Sequence, residues 1–150
     1  MSREAASFNG STPAVENVKS TIIALNYGGV SIFGVSSPDV SGAFKSQGFN
    51  LIGKKDGSTG FTAATDKKGT IASPLNPKLD PKGLRDNGGP TQTIALVKGS
   101  PAIDKGTSNG LTGTLTTDQR GFARTVDNTS ITNASGGDGT DIGAFEFGAQ

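Results

Sequence analysis

The sequence contains no cysteine and no histidine among its 150 residues. Without cysteine there is neither a disulfide framework nor a thiolate that acts as nucleophile or ligand. Without histidine the chain lacks the usual general base at neutral pH and the commonest metal ligand. Thiol-dependent catalysis and His/Cys metal sites are therefore excluded. We predict that the protein is not an enzyme and has no catalytic residue and no cofactor.

An excess of charge and long apolar runs are missing as well. The formal net charge is only +1, whereas phosphate binding favours a strongly basic surface, so we expect no nucleic-acid partner. No apolar run approaches the length that spans a bilayer, and we expect no membrane insertion. The stretch 1–19 lacks the apolar centre of a secretory signal. We therefore expect either a cytoplasmic protein or a piece of a larger precursor whose signal lies upstream.

Glycine is abundant, with 23 residues, and Ser, Thr and Asn are frequent. This composition disfavours long helices, because Gly costs backbone entropy and the small polar residues offer the backbone competing hydrogen bonds. Short runs rich in β-branched residues and bounded by turn formers predict strands instead. We predict an all-β chain with strands over 18–26, 30–35, 49–52, 93–97, 101–104 and 141–147, a further short strand at Val40, turns at Gly42 and Gly48, and a polar loop over 56–69.

The arrangement of these runs indicates a β-solenoid. No amphipathic segments separate the strands, which excludes a doubly wound sheet, and two-residue hairpin turns are missing. The spacing from Ile22 to Leu51 corresponds to about one coil. We predict a single domain, 1–150, with a few coils of parallel β-helix over about 15–72 and a Pro/Gly-rich segment with an irregular C-terminal cap over 73–150. Asn26 and Asn50 are expected to stack as an internal ladder, and Tyr27 to be an exposed contact.

Six short motifs occur in order along roughly the last three quarters of the chain. They are DVSG (39–42), GFNLIG (48–53), DNGGPTQT (86–93), ALVKGSPAIDKG (95–106), DQRG (118–121) and DIGAFE (141–146). In this order they resemble the choice-of-anchor Q domain, found at the C-terminal end of bacterial surface proteins with right-handed parallel β-helices. The resemblance implies the end of a right-handed β-helix in a secreted or cell-surface protein, and it implies no reaction. Because no sorting signal follows, we expect the anchor to be absent or removed.

Charged residues near the C-terminus are the main candidate site. Asp118 and Arg120 lie two residues apart, hence on one face of any strand, and Asp141 opens the last apolar run. They are either a carboxylate pair or calcium site, or a buried arginine–carboxylate network with bidentate geometry that fixes irregular loops. We favour the second, because ion-pair networks use the same residue types without function. The predicted structural network is Asp104, Asp118, Arg120, Asp141 and Glu146, and Arg124 belongs to the same charged set.

Two other patterns are weaker. GGDGTD (136–141) resembles the opening of a calcium-binding nonapeptide, but Gly143 stands where a large apolar residue is required and there is one copy. Asp138 and Asp141 are therefore weak metal candidates, and an ordinary Gly-rich turn is the favoured interpretation. Four lysines flank the 56–69 loop and either bind an acidic polysaccharide or are simply solvated, which is commoner; they are Lys54, Lys55, Lys67 and Lys68.

Two functions remain open. The favoured one is a structural or adhesive, non-catalytic β-helix module of a secreted or cell-surface bacterial protein. Its expected partners are a second copy, stacked through the open end of the β-helix, or surface glycans and proteins. The alternative is a fragment of a carbohydrate-active β-helix protein, similar to a polysaccharide lyase or glycosidase, whose catalytic coils lie elsewhere. Carboxylates with Lys or Arg suffice for glycan cleavage, but the early strands carry almost no charged residues.

Overall fold

The computed structural model describes residues 15–26 and 37–150. No helix occurs in these two ranges, which confirms the all-β prediction for the described part of the chain. The predicted strand over 30–35 and the predicted contact at Tyr27 lie outside the described residues. The strands are short: β1 (Glu16–Val18), β2 (Ile22–Ile23), β3 (Gly42–Ser46), β4 (Leu51–Ile52), β5 (Ser58–Thr59), β6 (Lys67–Lys68), β7 (Asn109–Gly110) and β8 (Gly113–Thr114).

Six of these strands form two parallel sheets, with the orders β1–β3–β5 and β2–β4–β6. Ile22 pairs with Leu51, which agrees with the spacing expected from the sequence. Gly42 pairs with Ser58 in one sheet and Leu51 pairs with Lys67 in the other, so the same 16-residue interval separates the later strands in both sheets. The chain therefore visits the two sheets alternately, three times, in a constant order.

Apolar side chains fill the space between the two sheets. Val18, Val40, Ile52 and Phe61 form a buried cluster, against which Ile23 and Phe44 pack. The rings of Phe44 and Phe61 have their centroids 4.9 Å apart. Aromatic rings at this separation add to the stabilisation that burial provides. One cluster thus joins residues of β1, β2, β3 and β4 across both sheets.

A ladder of polar groups, one backbone N–H and two side chains, stands at the corner where the chain passes from one sheet to the other. Thr21, Asn50 and Asp66 each directly precede the paired residue of β2, β4 or β6. Asn50 is 0% exposed. Its Oδ1 accepts the Thr21 N–H at 3.1 Å, and its Nδ2 donates to Asp66 Oδ1 at 3.0 Å. The expected asparagine ladder is therefore wrong for Asn26, whose N–H donates to Asp39 Oδ1 instead.

The C-terminal segment packs against the outer face of the β2–β4–β6 sheet. Leu51, fully buried, clusters with Leu96, Ala102, Ile103 and Ile142, whereas its neighbour Ile52 belongs to the cluster between the sheets. Successive residues of a strand point to opposite faces, which accounts for the division. Isolated antiparallel bridges and the antiparallel β7–β8 hairpin supply the only regular pairing described between residues 75 and 147.

Several strand boundaries differ from the prediction. The predicted strand over 18–26 is split into β1 and β2, because Ser20 has φ 48°, and the run over 49–52 begins only at Leu51, because Phe49 has φ 58°. A left-handed residue interrupts a strand ladder. Gly42 starts β3 instead of making a turn, Val40 is in no strand, and the predicted loop over 56–69 contains β5 and β6.

The predicted strands of the C-terminal segment are absent from the structure. Thr93 and Leu96 make single bridges, 101–104 is a turn, and 141–147 is a succession of bends and a turn. The apolar residues of DIGAFE are present, but the backbone N–H groups of this segment donate to separate acceptors instead of one neighbouring strand. Those of Asp141, Glu146 and Phe147 donate to carboxyl groups, and those of Ile142 and Gly143 donate to the carbonyl oxygens of Ala102 and Ser20. Side-chain acceptors compete with a sheet ladder for the same backbone N–H groups.

Candidate functional site

Arg120 is held in the 118–121 turn, which the Thr117–Ala123 bridge closes. The residue is 7% exposed. Its Nε and Nη2 lie 2.8 and 2.7 Å from Asp118 Oδ2, and Nη2 also donates to the Glu146 carbonyl oxygen at 2.8 Å. The guanidinium carbon lies 3.8 Å from the ring centroid of Phe145, close enough for a cation–π contact.

The geometry of this ion pair differs from the bidentate fork expected from the sequence. Both guanidinium nitrogens approach the same oxygen of Asp118. The other oxygen, Oδ1, accepts the backbone N–H groups of Arg120 and Phe122 at 2.8 and 3.2 Å. Burial alone would raise the pKa of Asp118, but the Glu146 N–H and the Arg120 guanidinium outweigh it, and the pKa lies below its ordinary value. Asp118 is therefore the ionised partner that compensates the buried charge of Arg120.

Asp141 and Glu146 form a second pair of buried carboxyls, 1% and 0% exposed. Glu146 accepts the Val126 N–H on Oε1 at 2.9 Å and the Asp141 N–H on Oε2 at 3.1 Å. Asp141 accepts the Asp104 N–H on Oδ1 at 2.8 Å and the Phe147 N–H on Oδ2 at 2.7 Å. Burial raises the pKa of Asp141 to about 6 and that of Glu146 to about 8, in spite of these donors.

Asp104 is a third buried carboxyl of this cluster, and it has no arginine partner either. It is 0% exposed, with φ 55°, and its Oδ1 accepts the Asn128 N–H at 3.2 Å. Its Oδ2 has no hydrogen-bond partner. Burial raises the pKa of Asp104, which the Asn128 N–H only partly offsets. Asp104, Asp141 and Glu146 are thus bound by backbone N–H groups, whereas the prediction had an arginine–carboxylate network.

Arg124 does not supply the missing ion pair. It is 4% exposed, and its Nη2 donates to the Gly143 carbonyl oxygen at 2.8 Å, while its Nε has no hydrogen-bond partner. Its positive charge nevertheless lowers the pKa of Asp141 and of Glu146, as a lesser contribution beside their burial. The structure therefore brings all five predicted network residues together. Arg124 also lies near them and lowers the pKa of two of the carboxyl groups through its charge, without forming an ion pair with either.

The carboxyl groups of the two weak metal candidates accept hydrogen bonds from other groups of the protein. Asp138 accepts the N–H and the hydroxyl of Ser108 and the N–H of Thr140. Burial would raise the pKa of Asp138, but these donors outweigh it and lower the pKa. Asp141 accepts the two N–H groups described above. Within 15–26 and 37–150, no three acidic, histidine or cysteine residues are grouped as a metal site would require.

The four lysines have different surroundings. Lys54 Nζ lies 3.7 Å from Asp39 Oδ1, and its side chain is 13% exposed. Lys68 Nζ donates to the Phe61 carbonyl oxygen. Lys67 is half-buried, and burial, with the charge of Lys105, lowers the pKa of its ammonium. Lys55 is exposed. The interpretation as an acidic-polysaccharide site therefore gains no support from their positions.

A cleft that sequence reasoning did not single out opens beside β2. Its volume is about 740 Å³, and a smaller pocket of about 170 Å³ shares part of its lining. Aliphatic residues of the 110–115 hairpin line the cleft together with Ile22, Leu79 and Ile94. The available signal was GLTGTL (110–115), in which two leucines stand in an otherwise small and polar loop.

Comparison with known proteins gives no assignment. No protein-family model matches the chain. No curated protein and no solved structure matches it significantly either. In the described ranges, no helix has the length and hydropathy needed to cross a membrane.

Proposed function

We propose that this chain is a structural module that ends a right-handed parallel β-helix of a secreted or cell-surface bacterial protein and carries no reaction of its own. One observation carries the proposal: β1–β3–β5 and β2–β4–β6 are parallel stacks visited alternately, in the same order. Parallel strands joined in this way advance by one layer per turn, as in a solenoid. Connections between parallel neighbours in a sheet are almost always right-handed, which supports the handedness.

The buried carboxyl cluster fits a structural role. Asp104, Asp141 and Glu146 are no more than 1% exposed, and their oxygens mainly accept N–H groups of the irregular C-terminal segment. A catalytic carboxyl must reach a substrate, and these do not face an opening. The resemblance of six ordered motifs to the choice-of-anchor Q domain supports the same proposal, together with its extracellular location. For the carbohydrate-active alternative, the cleft described above has one carboxylate among the described residues of its lining, Asp118, and that carboxylate is held by the side chain and the N–H of Arg120.

The solenoid part of the proposal is tested by disulfide trapping, since the chain has no cysteine of its own. Asn17 is in register with Lys45, and Ala43 with Thr59. Each of these pairs, replaced by cysteines, should cross-link under mild oxidation, because paired strands lie within disulfide reach. The mismatched pair Asn17→Cys with Thr59→Cys lies two strands apart and should stay reduced. Equal cross-linking of matched and mismatched pairs would refute the stacked order.

The non-catalytic part is tested by incubating the purified protein with a panel of acidic and neutral polysaccharides. We expect no new reducing ends and no unsaturated uronates. Turnover that disappears in an Asp104→Asn or Asp141→Asn variant of unchanged melting temperature would contradict the structural role and favour the glycan-cleaving alternative.

A further inference from the structure

The cleft beside β2 concentrates the exposed aliphatic side chains of the described residues. Ile94, Leu111 and Leu115 line it and are 38%, 55% and 48% exposed, and Leu84, 61% exposed, lines the adjoining pocket. Apolar side chains gathered in one concave surface mark an interaction site, whereas single exposed leucines do not. No aromatic ring lines the cleft, so a stacked sugar ring finds no platform there.

The cleft continues a contact already present inside the protein. On the outer face of the β2–β4–β6 sheet, Leu51 of the middle strand is fully buried beneath the C-terminal segment. Ile22, its neighbour on β2, is half-buried and reaches the wall of the cleft. Among the described residues, β2 is the last strand of its sheet on this side. The C-terminal segment and the hairpin therefore line the cleft together with this edge strand of the sheet.

The opposite edge of the same sheet is built differently. Its last strand, β6, consists of Lys67 and Lys68 only, with Lys67 in register with Leu51. A very short edge strand that carries lysines is a known protection against pairing with another chain. If a second copy stacked its β6 edge beside β2, it would place Lys67 in a cleft that is lined by aliphatic residues and also by Lys19, Asp118 and Arg124. The β6 edge of the sheet is thus protected against pairing with another chain, whereas the β2 edge can accept a further strand.

We propose that the cleft receives a β-strand of a further coil, paired in parallel with β2. The incoming strand carries a large aliphatic side chain in register with Ile22, which enters the cleft. The proposal rests on the proposed function and names the surface through which the module joins the rest of a β-helix.

The chain itself supplies a probe, the synthetic peptide of residues 47–55, QGFNLIGKK, whose strand β4 pairs in parallel with β2 from the other side. Added to the isotope-labelled protein, the peptide should bind saturably at up to millimolar concentration. The shifted NMR signals should be the methyl groups of Ile22, Leu111 and Leu115. A peptide with Leu51→Asp should bind at least about tenfold more weakly, because a charge would replace the buried aliphatic group.

Two protein variants locate the binding. Leu115→Asp should weaken binding of the peptide by a similar factor, whereas Val15→Asp, a matched control at an exposed aliphatic residue outside the cleft, should not. Binding that does not saturate, that ignores the Asp substitution in the peptide, or that shifts signals of β5 and β6 would overturn the proposal. So would a stable dimer in sedimentation that Leu115→Asp dissociates and the peptide does not, since a second copy would then fill the cleft. Disulfide trapping tests the stacked strands without the peptide, so a failure of this proposal is distinguishable from a failure of the proposed function.

Discussion

At the scale of single residues, buried carboxyls replace a regular strand ladder in the C-terminal segment. Backbone N–H groups that are buried need acceptors, and in this irregular chain Asp118, Asp141 and Glu146 provide many of them. Each of these carboxyls accepts at least two N–H groups from residues distant in sequence or across a turn. One side chain therefore fixes two stretches of chain at once, where the apolar core is thin.

Arg120→Ala should destabilise the protein strongly. The substitution leaves the buried carboxylate of Asp118 without its cation, at a cost of about 3–5 kcal/mol. Arg120→Lys should recover little, because an ammonium cannot replace the second contact, from Nε to Asp118, or the planar contact with the ring of Phe145. The matched control is Arg85→Ala, because Arg85 pairs with Asp80 but its side chain is 41% exposed, and such surface pairs contribute about 0–1 kcal/mol. Chemical denaturation of the three variants measures the difference, and equal losses for Arg120→Ala and Arg85→Ala would contradict the structural role.

Asn50→Ala should also be costly, because the side chain is fully buried in the corner ladder. Its removal leaves the Thr21 N–H without its acceptor and Asp66 Oδ1 without one donor. A buried polar group left unsatisfied costs about 1–3 kcal/mol, so we expect a loss of roughly that size or larger in the free energy of unfolding. Asn17→Ala, which removes an exposed amide, should change it by less than about 0.5 kcal/mol. A loss confined to the Asn17 variant would show that the ladder does not stabilise the stack.

At the scale of elements, the sequence predicted strand pairing correctly where short aliphatic runs mark the strands. It predicted wrongly where the hydrogen-bond acceptors of a segment come from residues distant in sequence. Ile22 and Leu51 lie in short aliphatic runs before small residues, so their pairing was foreseeable. DIGAFE has the same apolar alternation, yet its N–H groups go to scattered acceptors and no strand forms. These acceptors are the carboxyl groups of Asp118 and Glu146 and the carbonyl oxygens of Ala102 and Ser20. Only the folded chain brings Asp118 next to Glu146, so this competition is invisible in the pattern. The polar run of Lys67 and Lys68, only two residues long, predicts a loop. Its pairing with β4 in the folded chain makes it the strand β6.

Amide hydrogen exchange rates should distinguish the central strand β4 from the exposed hairpin. The N–H groups of Leu51 and Gly53 donate to the carbonyl oxygens of Thr21 and Ile23, which joins the β4 segment to the β2 segment, and Leu51 is fully buried. Their exchange should require global unfolding. The N–H group of Leu115 donates to Ser108 in the exposed hairpin and should exchange by local opening, orders of magnitude faster. If the hairpin amide exchanged as slowly as Leu51, the hairpin would belong to the stable core and could not adjust to an incoming strand.

At the scale of the whole molecule, the parallel stacks and the C-terminal segment depend on each other. Leu51 lies beneath residues from 96 to 142, and the Gly143 N–H donates to the Ser20 carbonyl oxygen beside β2. The carboxyl cluster joins distant parts of the C-terminal segment to each other. The protonation state of the cluster therefore affects the stability of the entire fold. The charged groups that face Glu146 are Asp141, Asp118, Arg120 and Arg124, and Asp104 joins them through Asp141.

Stability should therefore fall as the pH rises from mildly acidic to alkaline, which is the reverse of the usual behaviour of carboxyl groups. Glu146 has a pKa of about 8 in the folded protein against an ordinary value of 4.5, and Asp141 has one of about 6 against 3.8. For each group the folded state holds the proton more tightly than the unfolded state, so the contribution to stability is complete below the ordinary pKa and is lost as the pH rises through the raised one. Asp118, with a lowered pKa, acts oppositely and loses its contribution in strong acid. The melting temperature should peak at about pH 4 and decline by several degrees toward pH 9.

Glu146→Gln should lower stability at every pH, because the NH2 group of the new amide would face a backbone N–H. It should also flatten the decline between the ordinary pKa of 4.5 and the raised pKa of about 8, because Glu146 loses its contribution over this interval. Glu16→Gln, on the exposed strand β1, should leave the decline unchanged. A Glu146→Gln variant with the same pH dependence as the parent would show that Glu146 does not hold a proton in the folded protein.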